Sequence, residues 1–237
     1  MTFKAELNNK VEQTLSYLQD ISEEYSPIAL ANSLGAEDMV LTDMICKKRF
    51  DIEIFTLDTG RLHQETYNLL ADLRKKYSLL IKVYYPNATD IELFVENYGI
   101  NAFYDNVDYR KSCCKIRKVE PLQRALRNKK AWITGLRREQ SITRVELQKK
   151  QWDDHFQLHK FNPLLDWTEL DIWTYIREHQ VPYNLLHDNN YPSIGCEPCT
   201  RAVESGEEVR AGRWWWENPT SKECGLHTST SKEKERA

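Results

Sequence analysis

The chain of 237 residues is 41% hydrophobic and 29% charged, and its formal net charge is −3. This composition suits one globular domain with a sizeable core, and the small net charge excludes binding to nucleic acid through an overall basic surface. No run of about eighteen apolar residues is present, so the sequence predicts no membrane span. Residues 1–20 are charged throughout and lack the apolar core of a signal peptide, so we expect a cytoplasmic protein.

The predicted elements alternate between helix and strand along most of the chain. Apolar residues at helical spacing predict a first helix over 4–20. Short apolar runs bounded by turn residues predict strands at 27–33, 52–59, 79–86 and 131–136, and the segment 156–167 offers one more. Amphipathic stretches predict helices at 37–48, 63–77, 89–98, 114–127 and 168–179, the last capped by Thr168. This alternation predicts an α/β fold, a parallel twisted sheet with helices on both faces.

The pattern changes after about residue 184. From there to the C-terminus, Pro, Gly, Cys and Trp follow one another without regular periodicity. We therefore expect one domain over 1–237, in which residues 184–237 form a C-terminal segment rather than a second domain. The polar ending TSTSKEKERA predicts a mobile C-terminal tail.

Three loops at predicted strand ends contain small residues, and two of them continue into arginine. They read NSLGAEDM (32–39), LDTGRL (57–62) and TGLRREQS (134–141). The first is neither a Walker A loop nor a G-x-G-x-x-G loop, and alone it is equally well explained as an ordinary turn. Ligands of parallel sheets bind at the carboxyl ends of the strands, where Arg61, Arg137 and Arg138 would converge. Three such loops at one edge favour a site for an anionic nucleotide.

Four of the six cysteines form two closely spaced pairs: Cys113 with Cys114 in YRKSCCKIRK, and Cys196 with Cys199 in GCEPC. Adjacent cysteines rarely bond to each other, whereas C-x-x-C lets two sulfurs reach one metal centre. Four thiolates can hold one Zn²⁺ or an iron–sulfur cluster. Adjacent thiolates reach a single small ion awkwardly, while a [4Fe–4S] cube offers separate corners, so we favour the cluster.

The two remaining cysteines differ in their surroundings. Cys46 lies on the apolar side of a predicted helix and is assigned no function. Cys224, in KECGLH, has the polar neighbours typical of an exposed thiol. Arg210, Arg213 and His227 are near it in sequence, and cations hold a reactive cysteine as thiolate. An inert surface thiol explains the same pattern equally well.

Eight motifs, in this order and spacing, resemble one family over roughly residues 28–227: SLGAEDM, LDTGRL, CCKIRKVEPL, TGLRREQS, FNPLLDW, GCEPCTR, GRWWWE and KECGLH. The chain is similar to the assimilatory adenylyl-sulfate reductases of the bacterial iron–sulfur type, within the phosphoadenylyl-sulfate reductase family. The resemblance implies a fold like that of the adenine-nucleotide α-hydrolases. It also implies thioredoxin-dependent reduction of adenylyl sulfate to sulfite and AMP through an S-sulfocysteine, in sulfate assimilation and cysteine biosynthesis.

The resemblance also implies a set of site residues. A [4Fe–4S] cluster would be held by Cys113, Cys114, Cys196 and Cys199. The catalytic residues would be Cys224 as nucleophile with Lys118, Arg210, Arg213 and His227. The substrate would be bound by Ser33, Gly35, Ala36, Glu37, Asp38, Leu57, Thr59, Gly60, Gly135 and Arg137.

Several alternatives stay open. The substrate could be the 3′-phosphorylated nucleotide, and the thiol donor could be glutaredoxin instead of thioredoxin. An ATP-pyrophosphatase and a zinc-ordered nucleotide sensor are two more distant interpretations. The pyrophosphatases carry a pattern close to SGGxDS, from which this chain departs at Leu34, Ala36 and Met39, and this departure argues against ATP cleavage. We expect no nucleic-acid or membrane partner, and we expect a homo-oligomer.

Overall fold

The structure is a computed structural model, and it describes residues 2–140 and 147–218 of the chain. Within these ranges the helices are α1 (Phe3–Glu24), α2 (Ala36–Lys48), α3 (Gln64–Tyr77), α4 (Ala88–Tyr98), α5 (Val107–Cys114), α6 (Glu120–Leu126) and α7 (Glu169–His179). The strands are β1 (Ile28–Ala31), β2 (Glu53–Leu57), β3 (Lys82–Tyr84), β4 (Ala131–Ile133), β5 (Lys150–Asp153) and β6 (Leu158–Phe161).

The six strands form one sheet in the order β3-β2-β1-β4-β6-β5. All neighbours pair in parallel except β5, which is antiparallel to β6. The chain builds outward from β1 to β3 and then returns to place β4 on the other side of β1. Because the loops after β1 and β4 lead away in opposite directions, they leave a crevice at the carboxyl ends of these strands.

Both faces of the sheet are covered by helices, and the strand residues alternate between them. Ile28 and Leu30 of β1 face a core that includes residues of α1, α2, α3 and α7. Ala29, between them, packs on the opposite face with Phe55, Trp132 and residues of α6. This period of two is that of a strand buried on both sides, and it confirms the predicted α/β fold.

Helix α7 begins as its sequence predicts. Thr168 accepts a hydrogen bond from the backbone N–H of Asp171, and the Asp171 carboxylate accepts one from the Thr168 N–H. This reciprocal pair is a capping box. Helix α7 then packs on α2, where the hydroxyls of Tyr77 and Tyr175 both donate to the buried Asp43 carboxylate.

Three elements differ from the prediction. Helix α1 continues to Glu24. The helix predicted over 114–127 is a longer run that starts at Val107 and contains a wider π turn at Lys115–Val119. Strand β5 was not predicted, because its residues KQWD are mostly polar and it lies at the edge of the sheet. Among the described helices, none is long and apolar enough to cross a membrane.

Candidate active site

A pocket opens at the carboxyl edge of the sheet, between the loops that follow β1, β2 and β4. We call it the edge pocket. Its floor is apolar and includes Phe55, Leu57, Leu122 and Trp132. Its walls include predicted substrate residues from all three loops: Ser33, Gly35, Glu37, Asp38, Thr59 and Gly135. An apolar floor beneath polar walls suits a planar ring with polar substituents.

The loop after β1 is held to the loop after β4 by the carboxylate of Asp38. One oxygen accepts from the Ser33 backbone N–H at 2.7 Å and from the Ser33 hydroxyl at 2.6 Å. The other accepts from the Gly135 N–H at 2.9 Å. Burial raises the pKa of Asp38 to about 6, against the opposing effect of these hydrogen bonds. The Asp38 carboxylate therefore holds the pocket walls together.

Gly135 has a steric role in this contact. A Cβ atom at this position would lie 2.4 Å from Asp38 Oδ1 and 2.8 Å from the Cβ of Glu37. Both distances are shorter than nonbonded atoms allow, so any larger residue would push the two loops apart. The TGLRR loop thus needs glycine because Glu37 and Asp38, which follow β1, approach it closely.

Three cations reach the edge pocket from elements distant in sequence. Lys118 comes from the π turn, and Arg210 and Arg213 come from the C-terminal segment. The Arg213 guanidinium lies over the Trp214 ring at 4.7 Å and donates to the Ser193 hydroxyl at 3.3 Å. It occupies the space in which a Cβ of Gly195 would lie, 2.4 Å from Nη2. These cations give the pocket a positive end that could face a phosphate or sulfate group.

The three arginines expected at this edge do not converge on the pocket. Arg61 turns away and donates to the Ile100 carbonyl and the Asn101 side chain. Arg138 pairs with Asp166 on the surface. Arg137 is buried against Glu37 at 2.8 Å and Glu139 at 3.1 Å. The expected convergence is wrong, because carboxylates and carbonyls near each arginine compete for its guanidinium.

Three of the predicted substrate residues also lie outside the walls of the edge pocket. Arg137 and Ala36 line a second pocket beside it, together with Trp173. Gly60 adopts a left-handed φ of +69° and forms the turn of the LDTGRL loop. Its N–H donates to the Asp58 carboxylate at 2.8 Å, so Gly60 shapes the loop.

The two cysteine pairs come together behind the edge pocket. Cys113 and Cys114 end α5, while Cys196 immediately precedes the short 3₁₀ turn Glu197–Cys199 and Cys199 ends it. All four are buried in one cluster with Phe103 and Trp214, and none forms a disulfide. They line a small pocket, the cysteine pocket, whose other walls include Arg61, Arg110, Arg117 and Lys118. The fold thus brings together two cysteine pairs that lie 82 positions apart in the sequence (196 − 114).

The LDTGRL loop joins the two halves of the cysteine pocket. The Glu197 N–H donates to the Arg61 carbonyl at 2.8 Å, and Cys196 Sγ donates to the Thr59 hydroxyl at 3.2 Å. From the other side, Arg117 donates to the Thr59 carbonyl at 2.6 Å. Thr59 therefore contacts the edge pocket and both segments that carry the cysteines.

The surrounding cations act on the thiols. Burial alone would raise the pKa of Cys196, but Lys118, Arg213 and Arg117, with a hydrogen bond to Thr59, hold it below its ordinary value. Burial dominates at Cys199, whose pKa rises to about 12. A ring of cations around buried thiols suits a group that brings several thiolates together, because it offsets their negative charge.

The four thiols are the donors that either metal centre would need. Within residues 2–140 and 147–218, no three His, Cys, Asp or Glu side chains are arranged to hold a single metal ion. The four sulfurs instead surround a pocket from two sides. The residues present supply four thiols to one small pocket, a donor set that suits an iron–sulfur cluster or a zinc ion.

A buried ion pair fastens the C-terminal segment over the cysteine pocket. Arg110 donates to both oxygens of Glu217, at 2.8 Å and 2.7 Å, and its guanidinium lies over the Trp214 ring at 4.8 Å. The backbone N–H of Trp214 donates to the Cys199 carbonyl at 3.2 Å. These contacts fix residues 214–217 beside the cysteines.

Lys118 is the residue that the two pockets share. It lines both the edge pocket and the cysteine pocket. The π turn Lys115–Val119 directly follows Cys113 and Cys114, and such wider turns are frequent at functional sites. Periodicity in the sequence did not indicate this turn. The predicted nucleophile Cys224 and His227 lie outside the described residues.

The mostly parallel sheet, with a pocket at the carboxyl ends of its strands, matches the fold of the adenine-nucleotide α-hydrolases. The pattern of the phosphoadenosine phosphosulfate reductase domain matches residues 27–202. An adenosine 5′-phosphosulfate reductase of Allochromatium vinosum is 54% identical over 213 residues, covering 90% of this chain and 83% of that protein. One of Burkholderia cepacia is 51% identical over 225 residues, covering 95% and 90%.

A solved structure shows the same architecture. The phosphoadenylyl-sulfate reductase of Candida auris, in a phosphate complex, aligns with a TM-score of 0.69 at 25% identity, covering 86% of this chain and 98% of that one. The chain therefore belongs to the phosphoadenosine phosphosulfate reductase family, as its motifs predicted.

Proposed function

We propose that this protein reduces adenylyl sulfate to sulfite and AMP in assimilatory sulfate reduction, with Cys224 as nucleophile and thioredoxin or glutaredoxin as electron donor. The observation that carries the proposal is the shared wall at Lys118, where the cation-lined end of the edge pocket meets the cysteine pocket. The names of the relatives support adenylyl sulfate as the substrate class.

The edge pocket can hold the substrate in one orientation. Its apolar floor suits the adenine ring, while Lys118, Arg210 and Arg213 suit the phosphosulfate. Adenylyl sulfate and a cysteine thiolate are both anionic, so their approach requires positive charge. Cations placed where negative charge shifts during transfer lower the barrier to that transfer.

In the first step the Cys224 thiolate attacks the sulfur of the sulfuryl group. The bond from sulfur to the phosphate oxygen breaks, AMP leaves, and Cys224 becomes an S-sulfocysteine. Cys224 follows the anchored Glu217 by seven residues, a distance of up to about 25 Å when extended. Arg213 and Trp214, only a few residues before Glu217, line the edge pocket, so Cys224 can reach it.

In the second step a thiolate of the reduced donor attacks the Cys224 sulfur. Sulfite leaves with the electron pair of the S–S bond, and a mixed disulfide remains. The second thiol of the donor then releases Cys224 by thiol–disulfide exchange. The two electrons that reduce the sulfuryl sulfur come from the donor dithiol, which becomes a disulfide.

We propose that Cys113, Cys114, Cys196 and Cys199 hold a [4Fe–4S] cluster. Four buried thiols around one pocket, ringed by cations, support this proposal. When bound, such a cluster would tie α5 to the C-terminal segment and tune the local field, without passing electrons to the substrate. Lys118, on the turn that follows the tandem cysteines, would then be held in position for the substrate.

The test is intact-protein mass spectrometry after anaerobic incubation with adenylyl sulfate, with Cys224→Ser as the control variant. We expect a sulfonate adduct on the unsubstituted protein that reduced thioredoxin removes, and no adduct on the variant. A parallel incubation with the 3′-phosphorylated nucleotide compares the two substrates. Protein with its metal centre intact that forms no adduct with either nucleotide would overturn the proposal.

A further inference from the structure

His187 lies where the edge pocket meets the second pocket, and the proposed reaction assigns it no role. Both pockets are lined by His187, with Glu37 and Gln140 on the same wall. The residue belongs to a short 3₁₀ helix, Leu185–Asn189. Its sequence, LLHDN, gives no periodic signal and does not resemble a catalytic motif.

The support beneath His187 is rigid. The buried Asn184 accepts from the Leu186 N–H at 3.1 Å and donates to the Thr66 hydroxyl at 2.9 Å. Thr66 itself lines the edge pocket. On its other side the imidazole meets the Trp173 ring edge-to-face, with centroids 5.2 Å apart. A side chain held in this way can orient a ligand, because its rotamer is set by packing before the ligand arrives.

The two ring nitrogens of His187 differ in their surroundings. The imidazole hydrogen-bonds to the backbone of Tyr191, while Nε2 is buried and has no hydrogen-bond partner among the described residues. We therefore assign the ring proton to Nδ1. In a neutral imidazole only one nitrogen carries the proton, so Nε2 presents a lone pair that can accept a hydrogen bond.

We propose that His187 is a positioning residue that accepts a hydrogen bond from the nucleoside part of the substrate through Nε2. Burial keeps the ring neutral by lowering the pKa of His187. A bare lone pair repels phosphate and sulfate oxygens, and the cations of the pocket already face that end of the ligand. The donors left are the ribose hydroxyls and the adenine amino group. A buried acceptor without a donor is costly, so the bond forms at a site prepared for it.

This inference rests on the proposed function for the identity of the nucleotide, and its test uses binding of AMP without turnover. Titration calorimetry compares the unsubstituted holoprotein with His187→Phe, His187→Gln and His179→Phe. Phenylalanine keeps the ring that packs on Trp173 and removes the acceptor. Glutamine places an amide oxygen near the position of Nε2. His179 lines neither pocket and serves as the matched control.

We expect His187→Phe to weaken AMP binding about tenfold, the effect of one lost hydrogen bond at a preorganised site. Glutamine should restore most of the affinity, and His179→Phe should leave it unchanged. The analogues 2′-deoxy-AMP, 3′-deoxy-AMP and purine riboside 5′-monophosphate identify the donor. The analogue without it should bind the unsubstituted protein about tenfold more weakly and lose nothing further in His187→Phe.

Equal AMP affinity in the unsubstituted protein and His187→Phe would overturn the inference and leave the proposed function standing. The inference also fails if every analogue loses the same factor in both proteins, because His187 would then act through packing alone. If the unsubstituted holoprotein does not bind AMP, the nucleotide site itself is refuted.

Discussion

Replacing Glu217 by Gln tests how firmly the C-terminal segment is fastened over the cysteine pocket. The Arg110 side chain is fully buried and that of Glu217 is 3% exposed. The substitution removes the negative charge and leaves the guanidinium in a site with little access to water. Breaking a buried pair from one side costs about 3–5 kcal/mol, so the free energy of unfolding should fall by that amount.

The chain offers a matched control with the same chemistry at the surface. Arg201 donates to both oxygens of Glu207 at 2.8 Å and 2.7 Å, but these side chains are 36% and 31% exposed. Glu207→Gln should therefore cost no more than about 1 kcal/mol. Urea denaturation followed by tryptophan fluorescence measures both variants.

Glu217→Gln and Glu207→Gln should therefore differ greatly in their cost, although each disrupts a bidentate Arg–Glu pair. Replacing both Arg110 and Glu217 by Met should recover much of the stability lost in Glu217→Gln, because no buried charge then remains. Similar, small losses of stability in Glu217→Gln and Glu207→Gln would show that burial does not set the strength of the Arg110–Glu217 pair.

Three further predictions concern the sheet edge and the core. Gly135→Ala should raise the Kd for AMP, since its Cβ would lie 2.4 Å from Asp38 Oδ1; unchanged calorimetric binding would contradict the close approach. Asp38 has a folded pKa of about 6, above the ordinary unfolded value, so the folded protein binds more protons between about pH 4 and 6. The free energy of unfolding, relative to that of Asp38→Asn, should therefore fall as pH rises through that window. Urea denaturation at about pH 4 and about pH 6 measures this difference, and a rise would contradict the raised pKa of Asp38. Tyr175→Phe removes a buried hydroxyl that donates to Asp43 at 2.8 Å and should cost about 1–3 kcal/mol in urea, whereas Tyr183→Phe, at the surface, should cost less than half of this.

The parallel sheet could be predicted because its signals are local. Strand β1 is a short apolar run between Pro27 and a turn, and the same pattern marks β2 and β4. Small residues after these strands place the edge pocket, since parallel strands end at the same edge. Strand β5 escaped prediction because an edge strand with polar residues lacks the apolar run that reveals a buried one.

The cysteine pairs were likewise visible in the sequence, but their neighbours were not. The partners of Arg137 and Arg110 are Glu37 and Glu217, each about 100 positions away in sequence. No local pattern indicates such pairs, so an arginine beside a glycine loop suggested an anion site where the fold supplies a carboxylate. The sequence did not indicate His187 as a pocket residue for the same reason, because only the tertiary structure brings its 3₁₀ helix to the edge pocket.

The π turn is a third feature beyond the reach of periodicity. A helix predicted through this region leaves the direction of Lys118 undefined, because one wider turn rotates every residue that follows it. The observed turn brings Lys118 to the wall between the two pockets.

The proposed function joins a nucleotide pocket to cysteine chemistry in one site, and the stoichiometry of turnover is the sharpest test of that proposal. The holoprotein is supplied anaerobically with adenylyl sulfate and a limiting amount of reduced thioredoxin, and AMP, sulfite and oxidised dithiol are quantified. We predict equal amounts of sulfite and oxidised dithiol, with AMP exceeding them by at most one equivalent of enzyme because the last adduct stays on Cys224, and none of the three from Cys224→Ser. An excess of AMP over sulfite larger than one equivalent of enzyme, or sulfite formed by the Cys224 variant, would refute the proposed reaction.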